Sequence, residues 1–175
     1  MRRFSGKDQQ AVCAEASGPN ERLVIRPFGK EDAEAASAIL RESPEAVGWS
    51  ASMIRDLLAT TGVSGFIAKR DSRATGLILG REVLDEGEIL NLAVAKSDRR
   101  QGEGTALSRQ MMSSFAARGV ERVFLEVRES NLGAVAFYAR LGFQRVGRRE
   151  GYYQQPAEAA LILEHSTNNP QLGME

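Results

Sequence analysis

Residues 88–105 read EILNLAVAKSDRRQGEGT, an apolar run followed by a loop rich in arginine and glycine. The apolar run predicts a strand over 88–94. Beyond the loop, apolar residues recur at helical spacing and predict a helix over 104–118. The loop therefore joins the end of a strand directly to the beginning of a helix.

The loop has the features of a pyrophosphate cradle. Gly102 and Gly104 let backbone N–H groups approach an anion without a side chain in the way. A helix N-terminus adds unpaired N–H donors and a positive dipole end. Arg99 and Arg100 add forked donors suited to phosphate. The alternative is a tight strand-to-helix turn whose arginines are solvated.

Two familiar phosphate-binding loops do not match this stretch. The dinucleotide fingerprint needs a third glycine where this chain has Leu107. The nucleotide-triphosphate loop needs a lysine before its hydroxyl residue, and Gly104 precedes Thr105 here. Neither of these two loop types is therefore assigned to this stretch.

Two further motifs follow the loop in register. Residues 123–131 read VFLEVRESN, and residues 134–143 read AVAFYARLGF. Together with the glycine loop, they resemble the core of the GNAT acetyltransferase superfamily, and within it the ribosomal-protein-alanine N-acetyltransferases (RimI-like). The resemblance covers residues 22–164 and is densest over 87–153.

The resemblance implies an α/β GNAT fold. This fold has a mixed, mostly antiparallel sheet of about seven strands and about four flanking helices. The sheet is splayed between strands 4 and 5, and the pantetheine arm of the coenzyme lies in the gap. Sequence patterns predict strands at 23–27, 63–69, 75–84, 88–94, 123–127, 143–146 and 159–163. They predict helices at 31–41, 50–58 and 104–118, and a fourth from Ser130 or Asn131 to Gly142.

Composition is typical of a single globular domain. The chain has 175 residues, 42% of them apolar, and 23 basic side chains balance 23 acidic ones. The zero formal net charge argues against a nucleic-acid partner. We expect a disordered extension over 1–20, the acetyltransferase domain over 21–165 and a flexible tail over 166–175. A single cysteine and no apolar run long enough for a membrane span suggest a cytoplasmic protein, and no metal site is predicted.

Glu126 is the candidate general base. It lies in an apolar strand, where alternation could turn it toward the cleft and partial burial would suit it to the task. The alternative is an edge carboxylate paired with Arg122 or Arg128. The resemblance implies the catalytic role, because RimI-like enzymes have their proposed base at this glutamate. Glu88 on the fourth strand is a second candidate, which we rank below Glu126.

Tyr138 is the candidate general acid. A buried phenol needs a partner, and the coenzyme sulfur would supply one. The alternative is a core tyrosine that packs beside Phe137. In the resembling family, a tyrosine at this position is the proposed proton donor to the leaving thiolate.

The resemblance also implies further contacts to acetyl-CoA. Asn131 would both cap its helix and touch the pantetheine arm. Glu103 departs from the family, which more often has an aliphatic residue there, and its carboxylate is unfavourable beside pyrophosphate unless it faces solvent or pairs with Arg99 or Arg100. The remaining predicted contacts are Leu92, Ala93, Val94, Gln101, Gly102, Gly104, Thr105, Ala134 and Tyr138.

Four residues are candidates for binding the acceptor. Trp49 would line a peptide cleft or, alternatively, anchor the core. Tyr152 and Tyr153 match paired aromatic residues of the family, or they belong to an ordinary connection before the last strand. Glu129 could attract a cationic N-terminus or be merely solvated.

We therefore predict an acetyl-CoA-dependent N-acetyltransferase that works by direct attack of an amine on the thioester. The expected acceptor is the N-terminal α-amine of a protein, with a ribosomal protein as the first candidate. The alternatives are a lysine side chain or small amine as acceptor, or an acyl-CoA-binding regulatory module without turnover. A monomer or weak homodimer is expected.

Overall fold

The computed structural model describes residues 22–43 and 45–167. The strands are β1 (Leu23–Pro27), β2 (Val63–Arg70), β3 (Arg73–Val83), β4 (Glu86–Val94), β5 (Arg122–Arg128), β6 (Gln144–Gln154) and β7 (Ala157–Ser166). The α-helices are α1 (Ala33–Arg41), α2 (Ala51–Leu58), α3 (Glu103–Ala117) and α4 (Leu132–Arg140). Short 3-10 turns cover Lys30–Asp32 and Lys96–Asp98.

All seven strands form one sheet in the order β1-β2-β3-β4-β5-β7-β6. Among the strands of the described residues, only β4 and β5 pair in parallel, and their register ends where Ile89 lies beside Leu125. Beyond that point β4 stays paired with β3, and β5 stays paired with β7. The β4–β3 register also shifts at Leu90, an irregularity that bends strands locally. The predicted mixed sheet with a splay between its fourth and fifth strands is confirmed.

Local signals explain where the helices begin. Ser50 caps α2 by accepting from the backbone N–H of Met53, and Asn131 caps α4 by accepting from that of Ala134. α3 begins differently: Gly102 adopts a left-handed conformation with φ 84° and supplies no side-chain cap. The N-terminal donors of α3 are therefore left without a capping side chain.

The two faces of the sheet carry separate apolar cores. Ile78 of β3 packs in the cluster that includes Met111 and Phe115 of α3. Its neighbours Leu77 and Leu79 point to the opposite face, into the cluster that contains α1 and α2. Removing a fully buried ring such as Phe115 would cost about 3–5 kcal/mol. The rigid sheet between these cores supports both walls of the splay.

The last hairpin differs from the sequence prediction. β6 extends to Gln154 instead of ending at Val146, so Tyr152 and Tyr153 lie on a strand and not in a connection. β6 is an exposed edge strand, so its polar residues do not alternate with apolar ones and the pattern that marks a half-buried strand is missing.

The last strand, β7, extends into the predicted tail. His165, near the expected tail, is buried in β7, and Ser166 still belongs to that strand, so the tail cannot begin at 166. The predicted extension over 1–20 and the rest of the predicted tail, 168–175, lie outside the described residues. Within 22–43 and 45–167, none of the helices has the length and apolar character needed to cross a membrane.

Candidate active site

A cleft of about 880 Å³ opens where β4 and β5 separate. Its walls come from the second half of β4, the end of β5 and the inner face of α4. The glycine loop, the first turn of α3 and the loop between α1 and α2 also line it. Predicted site residues that line it are Leu92, Ala93, Val94, Arg99, Arg100, Gly102, Glu103, Gly104, Thr105, Glu126, Asn131, Ala134, Tyr138 and Tyr153.

The glycine loop presents backbone donors to this cleft. Arg100 and Gly102 both adopt positive φ angles, 62° and 84°, so left-handed residues lie on both sides of Gln101. Alternating backbone conformations of this kind turn N–H groups into a concavity that binds anions. The α3 N-terminus begins at the same point without a capping side chain. This donor set fits a pyrophosphate group.

The two loop arginines have different surroundings. The Nε of Arg99 donates to the carbonyl of Val94 at 3.1 Å, and its Nη2 donates to the hydroxyl of Ser43 at 3.0 Å. Arg99 therefore ties the end of β4 to the loop after α1. Arg100 is exposed at the mouth of the cleft, where its charge can reach a phosphate. Gln101 is outside the lining and donates to the Ser97 carbonyl.

Glu103 meets neither of the two conditions under which its carboxylate was expected to be tolerated beside a pyrophosphate. It is buried, not solvent-facing, and it pairs with neither Arg99 nor Arg100. Its Oε1 instead accepts a 2.7 Å hydrogen bond from the Nε of Arg70, at the end of β2. The partner is 33 residues away in sequence, so local spacing could not have identified it.

Glu126 lies on the face of β5 opposite to the core, with 17% of its side chain exposed. Its Oε1 accepts a hydrogen bond from Arg149 at 2.5 Å, not from Arg122 or Arg128 as the alternative supposed. Tyr152 also donates to this carboxylate, and that hydrogen bond raises the pKa of the Tyr152 phenol to about 12. Glu126 therefore has a basic and a phenolic partner, both from β6.

Tyr138 is buried in the wall that α4 contributes to the cleft. Its ring meets Phe137 and Phe143 edge-on, with centroids 5.0 and 5.4 Å away. Burial raises the pKa of its phenol, so the hydroxyl keeps its proton at neutral pH. The ring packs in the core and the residue also borders the cleft. Its position is therefore compatible with both the core role and the catalytic role predicted from the sequence.

The acceptor candidates do not all meet at the cleft. Tyr153 lines it, and Tyr152 packs edge-on against Tyr153 with centroids 5.1 Å apart. Trp49 packs partly buried against the α1–α2 core and is not among the lining residues. Glu129 is also outside the lining, and hydrogen bonds from Arg148 lower the pKa of its carboxyl.

Glu88, the second candidate base, lies away from the cleft lining. Its Oε2 accepts a 2.6 Å hydrogen bond from Arg81 of β3. Because β4 and β5 are still paired at this position, Glu88 sits below the point where the strands separate. Its location therefore favours Glu126 over Glu88 as the group nearest to the cleft.

Sequence reasoning missed Asn91 and the loop it holds. Asn91 is buried, and its Nδ2 donates to the carbonyl of Val47 at 2.9 Å. This contact fastens the α1–α2 loop over the cleft, where Ser43, Glu45 and Val47 are lining residues. A polar residue inside the apolar run of β4 was the available signal, because a buried amide needs hydrogen-bond partners.

Comparisons with known proteins agree with this architecture. The model of the Acetyltransferase (GNAT) family matches residues 33–143, more than half of the chain. The chain therefore belongs to the GNAT acetyltransferase family. The uncharacterized N-acetyltransferase MJ1530 of Methanocaldococcus jannaschii is 31% identical over 147 residues, which cover 83% of this chain and 94% of the relative.

Two further similarities concern enzymes named for one acceptor. The [ribosomal protein bS18]-alanine N-acetyltransferase of Salmonella typhimurium is 37% identical over 95 residues, which cover 53% of this chain and 64% of that protein. The crystal structure of the ribosomal-protein-S18-alanine N-acetyltransferase from Escherichia coli superposes with a TM-score of 0.76. That alignment is 27% identical and covers 88% of this chain and 99% of the other.

Proposed function

We propose that this chain transfers the acetyl group of acetyl-CoA to the N-terminal α-amine of a protein, with a ribosomal protein as the first candidate acceptor. One observation carries the proposal. Three features line a single cleft. They are the uncapped N-terminus of α3, which suits a pyrophosphate, the carboxylate of Glu126 and the phenol of Tyr138. A protein that only bound the coenzyme would need the first of these features and not the other two.

The coenzyme would be held mainly by backbone groups. The loop from Arg100 to Thr105 would bind the pyrophosphate, and Asn131 and Ala134 would flank the pantetheine arm. Residues 90–94 of β4 lack a partner on β5, so their backbone groups on that side are available to an extended ligand, apart from the Val94 carbonyl, which accepts from Arg99. When bound, acetyl-CoA supplies an activated acetyl thioester.

Glu126 would accept a proton from the acceptor. A terminal α-ammonium has a pKa of about 7.7–8.0, so a modest base suffices to release the free amine. The amine nitrogen then bonds to the acetyl carbon, and the carbon–sulfur bond breaks. A lysine ammonium, with a pKa of about 10.4, would be harder for the same carboxylate to deprotonate.

Tyr138 would return a proton to the departing sulfur. Its phenol is protonated at neutral pH because burial raises its pKa. The acceptor ammonium loses two protons: Glu126 would take the first and pass it to solvent, and would then take the second from the nitrogen as the carbon–sulfur bond breaks. The second proton is matched by the one that Tyr138 gives to sulfur, so the products are an amide, a thiol and one proton released to solvent. Solvent would then reprotonate Tyr138 and deprotonate Glu126.

The acceptor side supports a peptide. Tyr152 and Tyr153 stack beside Glu126 and could pack along an extended chain. Similarity to two enzymes named for the alanine N-terminus of ribosomal protein S18 supports an α-amine acceptor. The stretch matched in the Salmonella protein is less than two thirds of its length, at 64%.

A thiol-release assay with acetyl-CoA tests this function. We would offer peptides with different free N-terminal residues beside a lysine-containing peptide blocked at its N-terminus. Release only with free N-termini, led by alanine, is the expected result. Release with the blocked peptide would replace the α-amine with a lysine acceptor, and no release despite coenzyme binding would favour a regulatory module.

A further inference from the structure

A buried ion pair lies directly under the proposed pyrophosphate loop. Glu103 is 1% exposed at the first position of α3, where its neighbours in the loop line the cleft. Arg70 donates to its Oε1 at 2.7 Å from the end of β2. The other oxygen, Oε2, is buried without a hydrogen-bond partner in the described part of the chain. Glu103 thus relies on Arg70 for the pairing of its charge.

The pair belongs to a four-charge cluster. The Nε of Arg70 also lies 3.8 Å from a carboxylate oxygen of Asp98, and Asp98 accepts two hydrogen bonds from Arg73 at 2.8 and 2.9 Å. Within residues 22–43 and 45–167, two arginines and two carboxylates therefore meet beneath the loop. Removing one member changes the net charge of this cluster by one unit.

Whether the net charge of the cluster rises or falls affects the binding of an anionic ligand at the loop. A carboxylate in the first turn of a helix occupies the positive end of the dipole that a pyrophosphate would also use. Because the Glu103 carboxylate is buried, its repulsion of an anion at the loop is screened less than it would be between two exposed charges. Unless it is neutralised, Glu103 opposes the ligand that the glycine loop is built to hold.

We propose that Arg70 sets coenzyme affinity through Glu103, by cancelling the carboxylate charge beneath the pyrophosphate loop. Arg70 is a positioning residue in this scheme, because it is not itself among the residues that line the cleft. The proposal rests on the proposed function only in that the loop binds the pyrophosphate of coenzyme A. It makes Arg70 and Glu103 a matched pair, in which each change can compensate for the other.

Isothermal titration of coenzyme A into the full chain tests the pair. Arg70→Gln should weaken binding about tenfold or more, because it leaves an unpaired buried negative charge under the loop. Glu103→Gln should tighten binding about threefold, because it removes that charge and keeps the shape. The double variant should return to within about threefold of the wild type.

Opposite changes in coenzyme affinity for the two single variants distinguish this role from a merely structural one. If the pair only held the loop in shape, both single variants would weaken binding, and the double variant would not recover. Pantetheine, which lacks the pyrophosphate, provides a second readout, and its affinity should be the same in all four proteins. Arg55→Gln, which breaks a 2.8 Å ion pair with Glu34 outside the cleft lining, is the matched control.

Several results would overturn the proposal. Unchanged coenzyme affinity in Arg70→Gln, weaker binding in Glu103→Gln, or equal losses for pantetheine would each do so. If Arg70→Gln does not fold, the sign of the Glu103→Gln effect decides alone. Coenzyme binding by the wild type without acetyl transfer would instead count against the proposed function and leave the charge pair standing.

Discussion

The guanidinium of Arg128 lies over the ring of Tyr153, with 4.0 Å between its central carbon and the ring centroid. The same group donates to the carbonyls of Gln155 at 3.0 Å and Pro156 at 3.3 Å. Arg128 follows Glu126 by two residues on the same face of β5. One side chain therefore holds the β6–β7 turn beside the candidate base.

Arg128 is also connected to the coenzyme side. It pairs with Glu158 at 3.2 Å, and Glu158 accepts the backbone N–H of Ser130, just before α4 begins. The hydrogen bonds from Ser130 and Arg128 lower the pKa of the Glu158 carboxyl. The turn on the acceptor side and the start of α4 are thus joined through two side chains.

Replacing Arg128 with methionine should raise the KM for the acceptor peptide about tenfold, because a cation–π contact and two hydrogen bonds that position Tyr153 are lost together. The dissociation constant of coenzyme A, measured by titration, should change much less. Arg122→Met is the matched control, since Arg122 also stacks on a ring, Phe124, from the same strand but outside the cleft lining. An unchanged acceptor KM in the Arg128 variant would show that Tyr153 does not need this support.

Glu126→Gln should lower kcat about 10²- to 10³-fold and leave coenzyme affinity nearly unchanged, because a general base is lost while the shape is kept. Steady-state thiol release and a coenzyme titration measure the two quantities. Glu88→Gln is the comparison, since it changes the other candidate on β4. A larger loss in the Glu88 variant would reverse the assignment.

Tyr138→Phe should lower kcat about tenfold or more without a large loss of stability, because the ring remains packed against Phe137 and Phe143. Since burial raises the pKa of the phenol, the wild-type rate should show no loss from Tyr138 ionisation at any pH below about 10. A pH–rate profile and a thermal melt measure the two effects. Wild-type turnover by the phenylalanine variant would remove Tyr138 from the mechanism.

Asp98 should make the free energy of unfolding depend on pH in the acidic range. Hydrogen bonds from Arg73, opposed by burial, hold the pKa of Asp98 below its ordinary value. A carboxyl with a depressed folded pKa stabilises the protein above about pH 4, and this contribution disappears as pH falls through the folded pKa. The difference in unfolding free energy between wild type and Asp98→Asn should therefore be largest near neutral pH and shrink toward pH 2.

Urea unfolding at a series of pH values measures that difference. Asp56→Asn provides the control, because Asp56 is exposed on α2. A wild-type-minus-variant difference that stays constant from neutral to acidic pH would mean that Asp98 stabilises the fold only by its shape.

Most helices and strands could be predicted because their signals are local. Ser50 and Asn131 cap their helices through atoms three residues away, and the apolar alternation of β5 marks its buried face. β6 escaped prediction beyond Val146 because an exposed edge strand needs no apolar alternation. Its existence depends on pairing with β7, a contact that no window of its own sequence contains.

The candidate site shows the same difference between features with local signals and features that depend on long-range contacts. Sequence and resemblance named the glycine loop, Glu126 and Tyr138, and the structure places all three at one cleft. The partners of the two carboxylates were not predicted, because Arg149 lies 23 residues from Glu126 and Arg70 lies 33 residues from Glu103. Those pairings arise only when separate strands are brought side by side.

The sequence by itself determined most of the elements of this protein, β6 beyond Val146 excepted, since helix caps, glycine turns and apolar periodicity act over a few residues. It also determined which groups are available for chemistry. The tertiary structure alone decided that β4 and β5 separate after Ile89, and that a guanidinium neutralises each carboxylate in the cleft. These outcomes depend on charges and hydrogen bonds between residues far apart in the chain, whose distances are set by the packing of the whole sheet.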